Sequence, residues 1–455
     1  MTERTNLSVL TLNCWGLKFS ENRRDRVAAI GHHLSDASLG YDIVGLQEVW
    51  LYEDFLLIRN SVKNSLPFSK HWFSGLFGSG LVIFSKHPIL NTSLRRYALS
   101  GDPRRILHGD WFDGKSCASA VIVHPLIGEI QVFNTHLHAT YNPVVSSDEY
   151  LGCRLGQAWE MAQLIRTAVA LGRHVIALGD FNSAPESITV QLITRYAGLS
   201  DSWESLHPVP RGPTPRGLSP EEGIALLGIT CDTPLNYWTR HATWPNRLTG
   251  DPIGERLDYI FFKSKPEMRS SRVRVAFHEK IDGIGGSNET TKHMSDHFAV
   301  HSVFSVSMLT SPSTLFASQQ ANLGFALDHS YDIRRHQDQA EGIVELLERV
   351  LAVLEQHLVQ SQVKSTRTLT LFVPTLILAT LSLLFVFTWI DWREAHLAIV
   401  LPLAIGLSIM SSCWVICVFY GFFYGRETAS AFTNIIQEVQ AALDYHREGC
   451  LVCTM

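Results

Sequence analysis

Apolar residues over the first 306 positions fall into short β-branched and aromatic runs: Leu7–Leu12, Ile43–Leu46, Gly80–Phe84, Ala120–His124, Ile130–Thr135, His174–Leu178, Leu257–Phe262 and Phe298–Phe304. Several are apolar without alternation, the pattern of strands covered on both faces. Between them the period changes. Arg23–Ser35 repeats apolar residues at Val27, Ile30 and Leu34, and Cys153–Ala170 at Leu155, Trp159, Ala162, Leu164 and Ile165, as helices do. The chain therefore predicts an α/β domain over 1–306, with packed layers of strand flanked by helices. Ser202–Asp251 departs from both periods. It carries PVPRGPTPRGLSP and the aromatics Tyr237, Trp238 and Trp244, and reads as a long irregular loop of the functional kind. Its aromatics suit either a membrane interface or core.

The pattern changes again after the domain. Residues 307–327 read as a linker, and 328–366 as an amphipathic juxtamembrane helix, with an apolar stripe at Ile343, Leu346, Leu347, Val350, Leu351, Leu354 and Leu358. Such a stripe suits the membrane surface, a second copy of the chain or the face of the domain. Leu369–Ile390 and Leu397–Tyr424 then run without a charge, each long enough to cross about 30 Å of hydrocarbon. Only DWREAH separates them, so 367–425 is expected to be a transmembrane hairpin followed by a helical tail, 426–455. Lys364 and Arg367 flank the first span, and the short connection carries one arginine against two acids. That bias puts both ends of the hairpin, and the 1–306 domain, in the cytosol. The endoplasmic reticulum and the mitochondrial outer membrane both accommodate that topology.

Charge and cysteine content narrow the chemistry. With 38 basic and 43 acidic side chains, net −5, the chain lacks the basic footprint of a nucleic-acid binder. Its eight cysteines are scattered, and MTERTNLSVL has no signal-peptide core, so the domain is expected in a reducing compartment. Cys450 and Cys453 form a lone C-x-x-C without further zinc ligands nearby.

Polar residues stand at the ends of the strand-like runs in six segments: LNCWG (Leu12–Gly16), LQEV (Leu46–Val49), NTHLHA (Asn134–Ala139), ALGDFNS (Ala177–Ser183), RLDY (Arg256–Tyr259) and MSDHFA (Met294–Ala299). Singly, each is an ordinary turn or cap. In order, they supply what phosphodiester hydrolysis requires. Glu48 and Asn13 offer oxygen ligands to a hard cation; magnesium suits them because it keeps waters and is completed by substrate phosphate. Asp180, Asn182, His136 and His297 supply acid–base and orienting groups near neutral pH. No serine or cysteine stands in a nucleophile's context, so direct attack by water is expected.

The six segments resemble the motif series of the endonuclease/exonuclease/phosphatase superfamily. That resemblance implies a deoxyribonuclease-I-like four-layer α/β sandwich. It makes Asn13, Glu48 and Asp296 metal-side residues, and Asp180 and Asn182 the pair that orients water and holds phosphate. Asp258 becomes the partner of the catalytic His297, and His136 the second histidine, at the leaving oxygen. LNCWGLKF, FGSGLVIFSKHPI, HGDWFDGK (His108–Lys115) and THLHATY look like neutral sphingomyelinases, in which Lys115 and His108 are expected to contact phosphate or headgroup. LGRHVIALGDFNSAP, YAGLSDSW and GITCDTPLN resemble the fungal inositol phosphosphingolipid phospholipases C. The resemblance implies a magnesium-dependent phospholipase C acting on a membrane sphingolipid, with inositol phosphate or phosphocholine as headgroup. Partners expected beyond the substrate are an anionic phospholipid activator, through Lys364 and Arg367, and a second copy of the chain, through the juxtamembrane helix. The alternatives are a nuclease or phosphoinositide phosphatase on the same scaffold, and an inactive membrane tether; the second would require losses among Glu48, Asp180, Asn182 and His297.

Overall fold

The eight apolar runs form eight of the twelve strands in the structure, a computed structural model describing residues 4–141, 148–208, 216–239, 245–285, 291–307, 329–389 and 397–454. The strands are β1 (Arg4–Asn13), β2 (Ile43–Gln47), β3 (Phe68–His71), β4 (Val82–Ser85), β5 (Ile89–Arg96), β6 (Ser116–His124), β7 (Gly128–His136), β8 (His174–Asp180), β9 (Ser200–Asp201), β10 (Asp258–Phe262), β11 (Met268–Ala276) and β12 (Ala299–Ser307). They make two six-stranded sheets, ordered β11-β12-β1-β2-β4-β3 and β5-β6-β7-β8-β10-β9. The four strands absent from the sequence-based prediction, β3, β5, β9 and β11, are the four sheet edges. Edge strands need less apolar surface and tolerate polar residues, so ILNTSLRR of β5, largely exposed, carries no strong signal.

Strand parity explains the core. Leu7 and Val9 of β1 face the other sheet, with Ile43, Ile83, Ile130, Val132, Ile176, Leu178 and Ile260. Leu10 and Leu12 face outward onto α1 (Arg23–Leu34) and α2 (Tyr52–Val62), through Val27, Ile30, Phe55 and Ile58. The helix α3 (Leu151–Ala170), buried through Leu155, Trp159, Ala162 and Ile165, packs against β8 of the second sheet. Strands covered on both faces have no solvent side, hence the unbroken apolar runs.

Toward one edge the inward positions turn polar. The Gln47 side-chain amide donates to Asn134 Oδ1 at 2.7 Å and to Thr11 Oγ1 at 3.0 Å. The Asn134 amide donates in turn to the carbonyls of Leu46 and Val82 at 3.0 and 2.9 Å. A side chain of the second sheet is thus bonded into the backbone of the first, within a fully buried layer.

Ser202–Asp251 is more ordered than its proline content predicts. Its described parts hold helical turns at Ser202–Leu206, Pro220–Glu222 and Gly223–Leu227. Ser219 closes a capping box with Glu222, the local signal that makes a turn of helix beside proline. Trp238 is core rather than an interfacial aromatic: it is buried and its indole N–H donates to the His293 carbonyl at 2.7 Å. Tyr237 is exposed, and Trp244 lies outside the described residues.

Contacts divide the chain into two units, Met1–Leu346 with His446–Met455, and Leu347–Tyr445. The expected juxtamembrane helix and first apolar span are one element, α4 (His329–Trp389), whose residues from Leu347 on belong to the second unit. The sequence between them, KSTRT, contains no helix breaker. α5 (Leu397–Val418) is the second apolar helix, and α6 (Gly425–Thr454) the tail. Both apolar segments are long enough to cross a membrane. They approach closely: the Ser365 hydroxyl donates to the Gly421 carbonyl, and a Cβ at Gly421 would meet Leu369 at 2.8 Å. Leu347, Val350 and Leu354 of the amphipathic stripe are buried, as are Ile435, Val439 and Leu443 of the tail. The expected linker, apart from Ser307, and the DWREAH connection lie outside the described residues, as do the side chains of Cys450 and Cys453.

The buried amide layer gives a stability prediction. Asn134→Leu strands two carbonyls and the Gln47 amide, and should cost at least about 2 kcal/mol, read as a lower melting temperature of the solubilised chain. Adding Gln47→Leu should cost less than the sum of the two single changes; strict additivity would show that the layer does not act as a unit.

Candidate functional site

The parity that builds the core also delivers the polar residues. Asn13 ends β1 on the inward face of Leu7 and Val9. His136 ends β7 in the series Ile130, Val132, Asn134. Asp180 ends β8 after Ile176 and Leu178, and Asp258 opens β10 ahead of Ile260 and Phe262. Register sets three of them side by side: His136 is opposite Asp180 in the parallel pair β7–β8, and Asp258 opposite Asp180 in the antiparallel pair β8–β10. These side chains form the last inward layer at one edge of the sandwich, directly above the amides.

Backbone strain marks the same edge. Glu48, Asn182 and Asp232 have φ of 56°, 46° and 55°, left-handed values that non-glycine residues seldom adopt and that collect at functional sites. At Glu48 the turn brings its carbonyl under the Gly16 N–H at 3.0 Å, and a Cβ at Gly16 would lie 2.2 Å from that oxygen. The glycine of LNCWG is therefore required by close approach. At Asn182 the turn lets its N–H donate to Asp180 Oδ1 at 2.9 Å and its amide to the Leu137 carbonyl at 2.9 Å.

Asn13 spans the seam between the sheets. Its amide nitrogen donates to Glu48 Oε1 at 2.9 Å and to Asp180 Oδ2 at 3.0 Å. The same Asp180 oxygen lies 3.5 Å from His136 Nε2 and 3.9 Å from His297 Nε2. His297 Nδ1 donates to Asp258 Oδ2 at 2.8 Å. One carboxylate oxygen thus faces both histidines, and a second carboxylate orients one of them.

Burial and charge set the protonation states. Burial, with Asp258 beside it, pushes Asp180 up to about 7. Burial works against a charged His297, but Cys231, Asp258 and Asp180 act the other way, and the ring stays well above the ordinary histidine range. Of these three, we assign the effect to the carboxylates, because burial holds the Cys231 thiol up and neutral. His136 goes in the opposite direction. Burial and then the Lys115 charge push it well below the usual range, so its ring is neutral and acts through an N–H or a lone pair.

Asp180, Asp258 and His297 offer ligand atoms within 4.8 Å of one another, a cluster able to hold a metal ion. The wider oxygen set fits a hard cation too. Asp296 is pushed up to about 6 by burial, with the Glu48 carboxylate adding to the rise and His297 opposing it. Carboxylates gathered this closely, two of them pushed up, are the charge pattern that a divalent cation relieves. Asn13 Oδ1 accepts from the Trp15 N–H at 3.0 Å and keeps a second lone pair.

HGDWFDGK forms a turn of helix, Asp110–Asp113, between Gly109 and Gly114, both at positive φ. It buries Lys115, whose Nζ is 3.1 Å from Asp110 Oδ1 and 4.0 Å from Asp113 Oδ2. Burial opposes the Lys115 charge, but Asp110 and Asp113 hold it on. The Tyr141 hydroxyl donates to Asp110 Oδ2 at 2.5 Å. His108 stacks on Tyr141, ring centroids 3.7 Å apart, and its Nδ1 meets the Tyr150 hydroxyl at 3.0 Å. Lys115 thus bears on His136 through charge, whereas His108 is engaged with aromatic neighbours.

Some contributors carried no readable signal. Arg26 is fully buried and donates to the carbonyls of Cys14, Trp15 and Met294 at 3.1, 2.9 and 3.3 Å. It ties the segment after Asn13 to the segment before Asp296, yet in sequence it is one arginine in a helix. Asp110 belongs to HGDWFDGK, and its pairing with Lys115 appears only in three dimensions. Cys231, Asp232 and Arg247, from the Ser202–Asp251 region, join Asn182 and His297 around a cavity of about 110 Å³.

The model of the Endonuclease/Exonuclease/phosphatase family matches residues 10–297, a span holding every site residue named above. An inositol phosphosphingolipids phospholipase C of Schizosaccharomyces pombe is 40% identical over 67% of this chain and 70% of its own. Human sphingomyelin phosphodiesterase 2 is 34% identical over 57% of this chain and 56% of its own. A solved endonuclease/exonuclease/phosphatase family protein from Bacteroides thetaiotaomicron is 16% identical, with a TM-score of 0.46 over 67% of this chain and 99% of that one. With its motif residues brought to one edge of two packed sheets, the chain belongs to the endonuclease/exonuclease/phosphatase family.

Proposed function

We propose that the chain is a magnesium-dependent phosphodiesterase of the phospholipase C type, cleaving phosphosphingolipids to ceramide and a phosphorylated headgroup. The observation that carries the reading is the His297–Asp258 pair, which faces Asp180 across the seam from Glu48. Family membership and 40% identity to a phosphosphingolipid phospholipase C supply the substrate class.

In this mechanism Asp180 and Asn182 hold the attacking water and a phosphoryl oxygen. The neutral form of His297 takes the water's proton at Nε2, while Asp258 keeps the ring oriented through Nδ1. The new P–O bond forms in line with the ceramide P–O bond, which breaks with both its electrons on the leaving oxygen. His136, neutral, donates a hydrogen bond to that oxygen, Lys115 contributes positive charge on the same side, and a proton from solvent completes the ceramide hydroxyl while His297 returns its own to solvent. Magnesium, held by Glu48 with Asn13 and Asp296 alongside, would neutralise charge on the phosphoryl oxygens. Two uncharged apolar segments anchor the domain to the membrane that contains its substrate, with both ends of the hairpin in the cytosol, and the anchor raises the local substrate concentration.

His297→Ala should lower kcat/KM on phosphosphingolipid by about 10²–10⁴-fold while magnesium still binds by calorimetry; near-full activity would remove His297 as the base. Asp258→Asn takes a negative charge from beside the imidazolium, so the His297 pKa falls and the base form persists at lower pH. The acid limb of the kcat/KM profile should therefore move down by about one to three pH units, with a lower plateau; an unmoved limb would sink the pairing. Chelation should abolish turnover and added magnesium restore it. Glu48→Gln should raise the magnesium concentration needed for half-maximal rate; an unchanged requirement would exclude Glu48 as a ligand. Turnover of abasic DNA or inositol polyphosphates in preference to inositol phosphoceramide and sphingomyelin would overturn the substrate assignment.

A further inference from the structure

Large exposed apolar side chains are unevenly distributed over the two-sheet part. Among the described residues of 4–307, the four most exposed are Phe19 at 92%, Leu76 at 74%, Ile106 at 71% and Phe73 at 67%. They occupy three loops, and strand direction places all three at the edge that carries the site. β1 runs toward that edge and ends at Asn13, so the loop with Phe19 starts there. β3 and β4 are antiparallel, with His71 opposite Val82, and β4 starts opposite Leu46 at the site end of β2. The loop with Phe73 and Leu76 therefore turns at the same edge. β5 ends with Arg96 opposite Ser116, and Cys117 stands opposite Thr135, next to His136. The segment with Ile106 joins those two strand ends.

These loops are tied to the site. The N–H groups of Leu76 and Phe77 donate to the Phe112 carbonyl at 2.7 and 3.4 Å, and the Ser74 hydroxyl to the Gly114 carbonyl at 2.7 Å, in the turn that holds Lys115. The loop after Asn13 is pinned by Gly16 on the Glu48 carbonyl. Lys18, exposed, has its Nζ 5.7 Å from the Phe19 ring centroid. Side chains of this size left in water forgo the stabilisation that apolar burial gives. Fixed apolar tips with a cation at their base suit a lipid interface, where tips enter the acyl boundary and the ammonium stays among headgroups.

We infer that Phe19, Phe73, Leu76 and Ile106 form a membrane-docking rim that seats the site edge directly on the bilayer. The inference rests on the phosphosphingolipid reading for its purpose: the scissile phosphate lies at headgroup depth, and a flush rim reaches it without extracting the lipid. The rim residues are not those of the two apolar helices; the helices hold the chain at the membrane, and the rim orients the site on it.

The test uses the full chain in lipid nanodiscs, as wild type and as F19S/F73S/L76S/I106S. Turnover of a long-chain phosphosphingolipid in the bilayer should fall by about tenfold or more in the variant. Turnover of a short-chain, water-soluble analogue and the melting temperature should change little, since the side chains are exposed. Equal loss on both substrates would make these residues part of the site, and no loss on either would leave the rim without a role; both outcomes overturn the inference. If the wild type cleaves neither substrate, the phosphosphingolipid reading fails, and hydrogen exchange decides the rim independently. The amides of Lys18 and Phe77, unaltered in the variant, should exchange several-fold more slowly in the wild type on nanodiscs. Equal exchange would overturn the rim.

Discussion

The site depends on how two sheets are held in register, and a single buried layer of amides does much of that work. Hydrophobic contact between sheets is non-directional and tolerates small slips. Gln47 and Asn134 are directional: Asn134 is bonded both to Gln47 and to two backbone carbonyls of the opposite sheet. Buried amides of this kind are costly when partly satisfied and specify one arrangement when fully satisfied. Immediately above them, Asn13 joins Glu48 of one sheet to Asp180 of the other. The distances at the reacting edge follow from the layer beneath.

That construction concentrates charge where water is scarce. Asp180, Asp258 and Asp296 lie close to Glu48 and His297, and burial raises Asp180 and Asp296 into the range where protons exchange near neutrality. His136 and His297, both buried, move in opposite directions because their neighbours differ: carboxylates around His297, the Lys115 ammonium near His136. Two histidines of one site thereby differ in proton affinity: His297 is the stronger base and His136 stays neutral. Left-handed backbone at Glu48 and Asn182 belongs to the same picture: the fold keeps strained turns where a side chain must leave a strand end at an angle that a regular strand does not offer.

Periodicity and order along the chain were enough to establish several features. Eight central strands, the helices α1 and α3, the two long apolar helices and the six polar segments at strand ends are local signals: a both-face-buried strand has to be apolar throughout, and a strand end has to become polar. Edge strands, the capped turns inside 202–251, the continuity of α4 through KSTRT and the burial of Trp238 were not legible, because each depends on what covers the residue from elsewhere in the chain.

The sequence by itself determined which residue types stand at the ends of which strands, because alternation of inward and outward positions is a property of the strand alone. Only the tertiary structure decided which of them meet. Asp180 meets His136 through the β7–β8 pairing, and meets Asn13 and His297 across the seam between the sheets, from segments distant in the chain; Lys115 is held by Asp110 and Asp113; and Arg26 fastens two site segments through their carbonyls. Such meetings are set by register and by which sheet face covers which, and neither is encoded in any one segment.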